Sequence, residues 1–385
     1  MNFDLTSEQT EFQGVMRTFA DQEVAPGAAE RDRTETFPIE VVRKMADLGL
    51  FGLPFPQAYG GSDADALTFC IAIEELGRVD QSVGITLSAA VGLGAGMINK
   101  FGTAEQKERW LAPACRGELL VSFGLTEQGG GSDAAAARTT ARLESDEWVI
   151  DGSKAFITNC GTPISGVHVV AAVTEPGGGV HGLSTFLVPA GTVGVSVAPA
   201  YRKLGWRSSD THELAFADCR VPVNALLGER GRGFPQCLST LADGRISVAA
   251  LSVGLAQACL DHSVAYAKER AAFGRAIGAT QAIQMKLADM RVRVHTARLA
   301  TYNAAWLKDS GRPYGAEASM AKLVASEAAV ANSREAVQIH GGTGFMEESA
   351  VARFYRDAKV LEIGEGTSEI QRLLIGADLG LPPAY

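Results

Sequence analysis

The sequence lacks the cysteine and histidine patterns that bind zinc or form disulfide frameworks. Its six cysteines are scattered without a C-x-x-C pair, and its six histidines form no H-x-x-x-H or mixed Cys/His cluster. Structural zinc sites and small disulfide-rich domains depend on such spacings. We therefore expect no metal site and no disulfide framework. Buried free thiols in a reducing compartment are the expected alternative.

Long basic runs are also absent. The chain has 35 Lys and Arg against 44 Asp and Glu, which gives a formal charge of −9 and a pI near 5.3. This balance argues against nucleic acid and an anionic membrane surface as electrostatic partners. The segment MNFDLTSEQTEF is unlike a signal or transit peptide, and we expect no apolar run of membrane-spanning length. These features predict a cytoplasmic protein, or one processed into an organelle matrix.

A nicotinamide-binding fold has no support either. No G-x-G-x-x-G leads from a strand into a helix, and no helices of suitable length alternate with the predicted strands. Both features belong to a parallel dinucleotide-binding sheet. A cofactor bound in that manner is therefore not expected.

The chain is long enough to form several domains. Its 385 residues exceed the roughly 250–300 at which one hydrophobic core stops growing. Capping boxes at Thr6–Gln9 and Thr103–Gln106 mark helices in the first part. Short β-rich runs such as HVVAAVT and LSTFLVP follow, and long amphipathic stretches return after residue 230. We predict an α+β multidomain protein with an N-terminal α-helical domain (1–118), a middle antiparallel β domain (119–230) and a C-terminal domain resembling a four-helix bundle (231–385).

Within the first domain, residues 80–96 are apolar but crowded with Ser, Ala and Gly. Small side chains on a buried helix either let another helix approach closely or leave room for a ligand. Both interpretations remain open from the residues alone.

Residues 361–374, LEIGEGTSEIQRLL, place Glu365 between two glycines and in front of a predicted helix. Ser368 and Gln371 have capping-box spacing, so Glu365 lies on the preceding loop. Gly364 and Gly366 allow unusual dihedral angles and close approach of another molecule. Taken alone, Glu365 is either a solvated turn residue or an acid held for a purpose.

Two further segments carry ligand-binding features. FGLTEQGGGSD, residues 123–133, can expose backbone N–H groups to a phosphate, or form a plain turn. IDGSKAFITN, residues 150–159, places Phe156 two residues before Thr158 on an extended stretch. The aromatic ring and the hydroxyl group could then contact the same flat heterocycle. Alternatively, Phe156 is part of the core, as a Phe on a strand ordinarily is.

Together these segments resemble the acyl-CoA dehydrogenase family over nearly the whole chain. The family's T-E-P-x-x-G-S-D loop corresponds to TEQGGGSD, its N-G-x-K-x-W-I-T-N to DGSKAFITN and its K-L-G-x-R-x-S to KLGWRSS at 203–209. ERAAFGRAIGATQ, QIHGGTGF and FYRDAKVLEIGEGTSEIQRLL follow in the family's order. An ordered series of motifs is more specific than any one of them.

The resemblance implies the helix–sheet–helix fold of that family, bound FAD and a homotetramer in which a neighbouring subunit completes the flavin site. The residues implied for FAD are Phe123, Leu125, Thr126, Gly131, Ser132, Phe156, Ile157, Thr158, Arg270, Phe273, Gln281, Gln338, Gly341, Gly342, Thr367 and Glu369. Of these, Arg270, Phe273 and Gln281 would reach the flavin across a subunit boundary. The start of a helix at 367–369 suits the diphosphate.

The resemblance also implies that Glu365 is the catalytic base. It would remove the α-proton of an acyl thioester, and we expect desolvation by the substrate to raise its pKa. The family's second location for the base corresponds to Gly244, which has no side chain. Ser132, Arg245 and Gly366 would contact the substrate, although a surface arginine is an equal alternative for Arg245.

The implied substrate is a short or branched acyl group on coenzyme A or an acyl carrier protein. Gly364 stands where straight-chain enzymes of the family carry a bulky Tyr. Small residues at Ser88, Ala89, Ala90 and Gly92 fall where the family's pocket helices lie. That space could admit a branched acyl group or be filled by another side chain.

The expected reaction is FAD-dependent α,β-dehydrogenation of an acyl-CoA, with an electron-transfer flavoprotein as acceptor. One alternative on the same fold is an acyl-thioester oxidase or a flavin monooxygenase in a biosynthetic pathway. A remote alternative is a non-catalytic scaffold. Hydrogen peroxide production distinguishes the oxidase, and failure to bind FAD would indicate the scaffold.

Overall fold

The computed structural model describes residues 4–381, so the outermost residues of the predicted terminal domains, 1–3 and 382–385, lie outside it. The chain begins with helices: α1 (Ser7–Phe19), α2 (Ala28–Thr34), α3 (Ile39–Asp47), α4 (Ala66–Val79), α5 (Gln81–Ser88), α6 (Gly96–Phe101), α7 (Ala104–Gln106) and α8 (Ala112–Cys115). Both predicted capping boxes are confirmed, because Thr6 and Thr103 each exchange hydrogen bonds with the Gln three residues later. They start α1 and α7.

The small-residue stretch is helical and buried. A π-helical segment, Ala89–Ala95, joins α5 to α6, so Gln81–Phe101 is one rod of 21 residues with 89% of its most apolar window buried. Gly233–Glu269 also has the length and hydropathy of a membrane span, with 72% of its window buried. The expectation that no apolar run reaches spanning length was therefore wrong. Burial within the protein is typical of core helices.

A β region follows. Its strands are β1 (Leu120–Gly124), β2 (Thr140–Glu144), β3 (Glu147–Thr158), β4 (Ser165–Val173), β5 (Leu183–Pro189), β6 (Val195–Val197), β7 (Thr211–Pro222) and β8 (Leu226–Leu227). They form one sheet in the order β6-β7-β3-β2-β4-β5-β8, with β1 beside β4. Most pairs are antiparallel, as predicted, but β1 runs parallel to β4 and β2 meets β4 through one parallel pair, Thr140 and Val173. The sheet is therefore mixed.

The sheet contributes to two hydrophobic cores. Val167 and Val169 of β4 face the core shared with the helices, whereas Val170 and Ala172 face a second core within the β region. Alternation along the strand explains this division, because successive side chains point to opposite faces. One face of the sheet is thereby fixed against the helices. Asn159, at the end of β3, donates through Nδ2 to Thr86 O at 3.0 Å and ties the sheet to α5.

The last part of the chain is again helical. A short hairpin, β9 (Ala271–Ala272) and β10 (Arg275–Ala276), interrupts the helices α9 (Gly233–Glu269), α10 (Gln281–Asp309), α11 (Gly315–His340), α12 (Gly342–Phe345), α13 (Ala350–Leu361) and α14 (Ser368–Asp378). Helix α9 packs against α4, α10 and α11, and it is the central helix of the bundle. Its middle, including residues 244–256, is buried without interruption. The loop between α13 and α14 faces this central helix.

The six cysteines are free and buried, as their scattered spacing predicts. Among residues 4–381, no group of three or more His, Cys, Asp or Glu side chains could hold a metal ion. Helix α8 ends at Cys115 and β1 begins at Leu120, while β8 ends at Leu227 and α9 begins at Gly233. The domain boundaries stated above remain predictions.

Candidate active site

The loop between α13 and α14 holds Glu365 in an uncommon backbone conformation. Its φ is 54°, and that of Gly366 is 95°. The left-handed region is disfavoured for a residue with a Cβ, so the surrounding structure must hold Glu365 there. Ser368 N–H donates to Glu362 O at 2.9 Å and closes the loop.

The cap of α14 differs from the predicted one. The N-cap is Thr367, whose Oγ1 accepts from Ile370 N–H at 3.3 Å, so the predicted capping box of Ser368 and Gln371 was wrong. Gln371 instead donates through Nε2 to Gly366 O at 2.9 Å and to Glu365 O at 3.3 Å. Gln371, which was predicted to belong to the cap, thus holds the carbonyl groups of Glu365 and Gly366.

The carboxyl group of Glu365 points inward. The residue is half-buried overall, yet its Oε2 is fully buried and has no hydrogen-bond partner among residues 4–381. A Cβ placed on Gly244 of α9 would lie 2.0 Å from this Oε2 and 2.8 Å from Leu93 Cδ2. The absence of a side chain at Gly244 therefore provides the space that the carboxyl group occupies. Glu365 is not a solvated turn residue.

Two cations face this carboxyl group. Arg245 on α9 is 7% exposed, and its Nε has no hydrogen-bond partner in the described part of the chain. Lys322 on α11 is 0% exposed and donates from Nζ to Gly366 O at 2.8 Å. The neighbouring Asp243 does not bind Arg245; it contacts Lys100 and accepts from the Tyr314 hydroxyl group at 2.6 Å. The alternative of a surface arginine at 245 is therefore excluded.

Burial raises the pKa of Glu365 to about 7, while Lys322 and Arg245 oppose this rise. Burial also lowers the pKa of Lys322 to about 8, against the attraction of Glu365. A carboxyl group with a pKa near neutral is matched to accepting a proton at physiological pH. The buried Oε2, which accepts no hydrogen bond from residues 4–381, is suited to that role.

The two motifs of the β region lie side by side. Ala155 N–H donates to Thr126 O at 2.8 Å. Lys154 Nζ donates to Leu125 O at 3.2 Å and to Glu127 Oε1 at 2.7 Å. Phe123 is half-buried on β1, Leu125 is buried, and Thr126 is half-buried. Gly131 and Ser132, further along the loop, are exposed.

Phe156 breaks the alternation of β3. Its φ is 61°, and its side chain is 57% exposed, with its ring centroid 5.2 Å from that of Tyr201. Ile157 is buried, and Thr158 is half-buried opposite Thr211 of β7. The interpretation of Phe156 as a core residue is therefore wrong. The strand presents an aromatic face beside a hydroxyl group.

The remaining predicted residues lie elsewhere on the surface. Phe273, at the tip of the β9–β10 hairpin, is 102% exposed; Arg270 and Gln281 flank the hairpin and are also exposed. Gln338, Gly341 and Gly342 lie exposed at the end of α11, and Glu369 is exposed on α14. Among residues 4–381, no hydrogen bond, ion pair or ring contact joins the hairpin group to Phe156 or the glycine-rich loop.

Sequence reasoning missed three residues near these sites. Lys322 is the single lysine of the Ala-rich helix α11, and its position on the buried face of that helix was the available signal. Leu93 lies in the small-residue helix beside Gly244. Tyr201, which stacks on Phe156 and contacts Gln128 through its hydroxyl group at 3.0 Å, belongs to no motif. Only the fold brings these side chains to the sites.

The surface around Phe156 fits a flavin. A half-exposed aromatic ring, an adjacent threonine and a glycine-rich loop with open space at Gly129 form a surface that a flat heterocycle with a diphosphate would cover. Positions 341 and 342 also have open space, since no atom of residues 4–381 lies within 4 Å of an added Cβ. The exposed ring of Phe156 lies beside that of Tyr201, with 5.2 Å between their centroids, so two aromatic rings are present at this surface. The residues therefore fit the cofactor that the resemblance implies.

Comparison with known proteins agrees with this reading. Residues 6–118 match the acyl-CoA dehydrogenase N-terminal domain, 122–219 the middle domain and 231–380 the C-terminal domain. A probable acyl-CoA dehydrogenase, YngJ, of Bacillus subtilis is 49% identical over 98% of this chain and 100% of its own length. A short-chain specific acyl-CoA dehydrogenase of Clostridium acetobutylicum is 44% identical over the same shares.

Solved structures share the fold. Butyryl-CoA dehydrogenase from Megasphaera elsdenii is 41% identical, with a TM-score of 0.96 over 99% of this chain and 100% of that chain. A chain in a structure of the electron transferring flavoprotein of Acidaminococcus fermentans is 42% identical, with a TM-score of 0.96 over 98% of this chain and 99% of that chain. With all three domains matched in order, the chain belongs to the acyl-CoA dehydrogenase family, whose members are flavin-dependent oxidoreductases.

Proposed function

We propose that this protein is an FAD-dependent short-chain acyl-CoA dehydrogenase that converts an acyl-CoA to the 2-enoyl-CoA, with Glu365 as the base. The observation that carries the proposal is the buried, unpartnered Glu365 carboxyl group against Gly244. Similarity to the short-chain enzyme and to butyryl-CoA dehydrogenase supports a short acyl group.

In the proposed reaction, Glu365 takes the α-proton of the thioester. FAD, when bound, supplies the acceptor for the hydride of the β-carbon. The Glu365 N–H and Gly366 lie where a thioester oxygen can meet the main chain, and a hydrogen bond there stabilises the negative charge that develops on that oxygen. Arg245 contributes positive charge beside the base, and Ser132 contacts the substrate from the glycine-rich loop.

The FAD would be held by three groups of residues. Phe123, Leu125, Thr126, Gly131 and Ser132 form the first, and Phe156, Ile157 and Thr158 pack against the ring system. Gln338, Gly341 and Gly342 would take the adenosine half, with Thr367 and Glu369 near the diphosphate. A second subunit would contribute Arg270, Phe273 and Gln281, which accounts for the complete exposure of Phe273 in the single chain.

A short acyl chain is consistent with the shape around Glu365. Leu93 Cδ2 lies against Gly244, so this side chain limits the depth of the space beside the base. Among the described residues, a Cβ on Gly364 would meet only Val360 O, at 3.5 Å, which leaves room for a branch. Ser88 is fully buried and hydrogen-bonded to Ser247 at 2.8 Å, so this position serves packing.

The proposed assembly is a homotetramer. Helix α10 exposes Met285, Val292, Leu299 and Trp306, which are 62%, 59%, 39% and 50% exposed. Their spacing of seven residues places them on one face of the helix. A row of large exposed apolar side chains along one helix is suited to pairing with another copy. The proposed electron acceptor is an electron-transfer flavoprotein, in the cytoplasm or an organelle matrix.

Anaerobic titration with acyl-CoA thioesters tests the proposal. Butyryl-CoA should bleach the yellow flavin absorbance, and octanoyl-CoA should do so much more slowly. If no acyl-CoA bleaches the holoenzyme, the proposal is wrong. Hydrogen peroxide in amounts matching turnover would favour the oxidase, which no feature of the site favours at present.

A further inference from the structure

Helix α11 carries a lysine on its buried face. Lys322 is 0% exposed, and the residues three and four positions away on the same face are small and equally buried: Ala318, Ser319, Ala325 and Ser326. Moving an ammonium group out of water is costly unless it is paired. Packing alone would favour an apolar side chain at this position, so the lysine needs another explanation.

The contact of Lys322 provides one. Its Nζ donates to Gly366 O at 2.8 Å, and among residues 4–381 this carbonyl is its only recorded hydrogen-bond acceptor. Gln371 Nε2 donates to the same oxygen at 2.9 Å. Two donors from two helices therefore hold the carbonyl group directly after Glu365. They fix the turn in which Glu365 has a φ of 54° and Gly366 one of 95°.

The second link between Lys322 and Glu365 is charge. The charged groups that act on Lys322 are Glu365 and Glu362 of the loop, Glu369 of α14 and Arg245 of α9. The groups that act on Glu365 are Lys322 and Arg245. Burial raises the pKa of Glu365 to about 7, and both cations oppose this rise. Removing one cation leaves the carboxylate with a single buried counter-charge.

We propose that Lys322 is a positioning residue for the base: it fixes the turn that directs Glu365 over Gly244, and its charge favours the ionised form of the carboxyl group. This inference rests on the proposed function, in which Glu365 accepts the α-proton. Lys322 acts through the Gly366 carbonyl group and through charge, without touching the substrate.

The test compares Lys322→Met with Gln371→Leu in the holoenzyme. Methionine fills the space of the lysine stem, and Gly366 O keeps its Gln371 donor, so the fold should be retained, as a melting temperature would show. Lys322→Met removes a donor and a charge, whereas Gln371→Leu removes only a neutral donor. Lys359→Met is the matched control, because Lys359 is an exposed cation paired with Glu362.

The main measurement is the pH dependence of flavin reduction by butyryl-CoA. We expect Lys322→Met to move the acidic limb of the profile upward by about 1 pH unit or more, because an opposite charge nearby favours the ionised carboxylate. Gln371→Leu should lower the rate and leave the limb in place. Lys359→Met should change neither. An acidic limb for Lys322→Met that coincides with that of the parent would overturn the proposal.

A second readout isolates proton removal. A thioester with sulfur at the β-position can lose its α-proton but has no β-hydride to give, and its proton exchange in D₂O is followed by NMR. Its pH profile should shift in the same direction. If Lys322→Met reacts too slowly for its pH profile to be measured, Lys322→Arg is measured instead. Recovery of the reaction rate in the Arg variant supports the role of charge. An Arg variant as slow as the Met variant overturns it.

These outcomes are distinguishable from failure of the proposed function. If butyryl-CoA does not bleach the parent, or bleaches Glu365→Gln as fast as the parent, the proposed function fails. If the parent responds and Glu365→Gln does not, the function stands. A parent-like profile for Lys322→Met then removes only the role assigned to Lys322.

Discussion

Gly244 lies directly against the carboxyl group of Glu365, so closely that a methyl group on Gly244 would approach Oε2 to 2.0 Å. The two residues come from different elements: Gly244 lies in the N-terminal half of α9, and Glu365 lies on the loop before α14. Glu365 can therefore occupy this position only because residue 244 has no side chain. The contact also excludes a second acid at 244 while Glu365 occupies this position.

Gly244→Ala should therefore lower the rate of flavin reduction by about 100-fold, because displacement of a reacting group by about 1 Å can cost that much. The Leu93 side chain, 2.8 Å from the added carbon, blocks one direction of escape for the carboxyl group. Rapid mixing with butyryl-CoA measures the rate. The matched control is Gly14→Ala on α1, where an added Cβ meets no atom of the described residues within 4 Å; it should retain the parent rate.

Glu365→Gln should bind FAD and lose bleaching by substrate. The amide has nearly the shape of the carboxyl group but cannot accept the α-proton, and a positioned general base contributes about 10²–10⁴-fold. Anaerobic absorbance measurements give both flavin content and reduction rate. Glu35→Gln is the control, since Glu35 has the same left-handed φ of 54° but is exposed. A Glu365→Gln protein reduced at near the parent rate would contradict the assignment of the base.

Sequence patterns predicted the order of helices, sheet and helices, because capping boxes and hydrophobic periodicity are local signals. They did not predict that β1 runs parallel to β4, since that pairing joins segments far apart in the chain. The cap of α14 was placed one residue late because Thr367 and Ser368 are both good N-cap residues. Only the backbone shows that Thr367 has the cap geometry.

The candidate base could be found from its motif, but its burial could not. Nothing local distinguishes a solvated Glu365 from one that points inward; the difference comes from Gly244 on a distant helix. Phe156 is the opposite case: a phenylalanine on a strand is ordinarily buried, but this one is exposed. Its left-handed φ could not be predicted from residue spacing. The sequence shows no partner for Lys322 on its helix face. In the folded protein its Nζ donates to the Gly366 carbonyl group.

The exposed face of α10 leads to a prediction about assembly. Val292→Glu, in the middle of the stripe formed by Met285, Val292, Leu299 and Trp306, should dissociate the oligomer because it would bury a charge at the interface. Sedimentation velocity measures the size of the particles. The control is Val193→Glu, an 89% exposed valine in the loop after β5, which should sediment as the parent does. A Val292→Glu protein of parental size would show that this face is not an interface.

The raised pKa of Glu365 predicts how Glu365→Gln changes stability with pH. In the unfolded chain the carboxyl group loses its proton near pH 4.5, whereas in the folded protein it keeps the proton until about pH 7. Between these values the unfolded state binds fewer protons, so the stability of the parent falls as pH rises through this window. Each unit of pKa difference corresponds to about 1.4 kcal/mol. Glu365→Gln has no such titration and should be more stable than the parent at pH 8, by about 3 kcal/mol.

Denaturant unfolding of both holoproteins at a series of pH values checks this. The stability difference should shrink as pH falls from 7 and be lost near 4.5. Apart from Glu365 and the coupled Lys322, whose pKa Glu365 raises, the titrating groups are common to the two proteins, so the difference reports residue 365 together with that coupling. The exposed Glu35→Gln variant should show no change over the same window. If the difference between Glu365→Gln and the parent were constant from pH 5 to pH 8, the carboxyl group would ionise alike in folded and unfolded protein, and its burial against Gly244 could not be the source of its basicity.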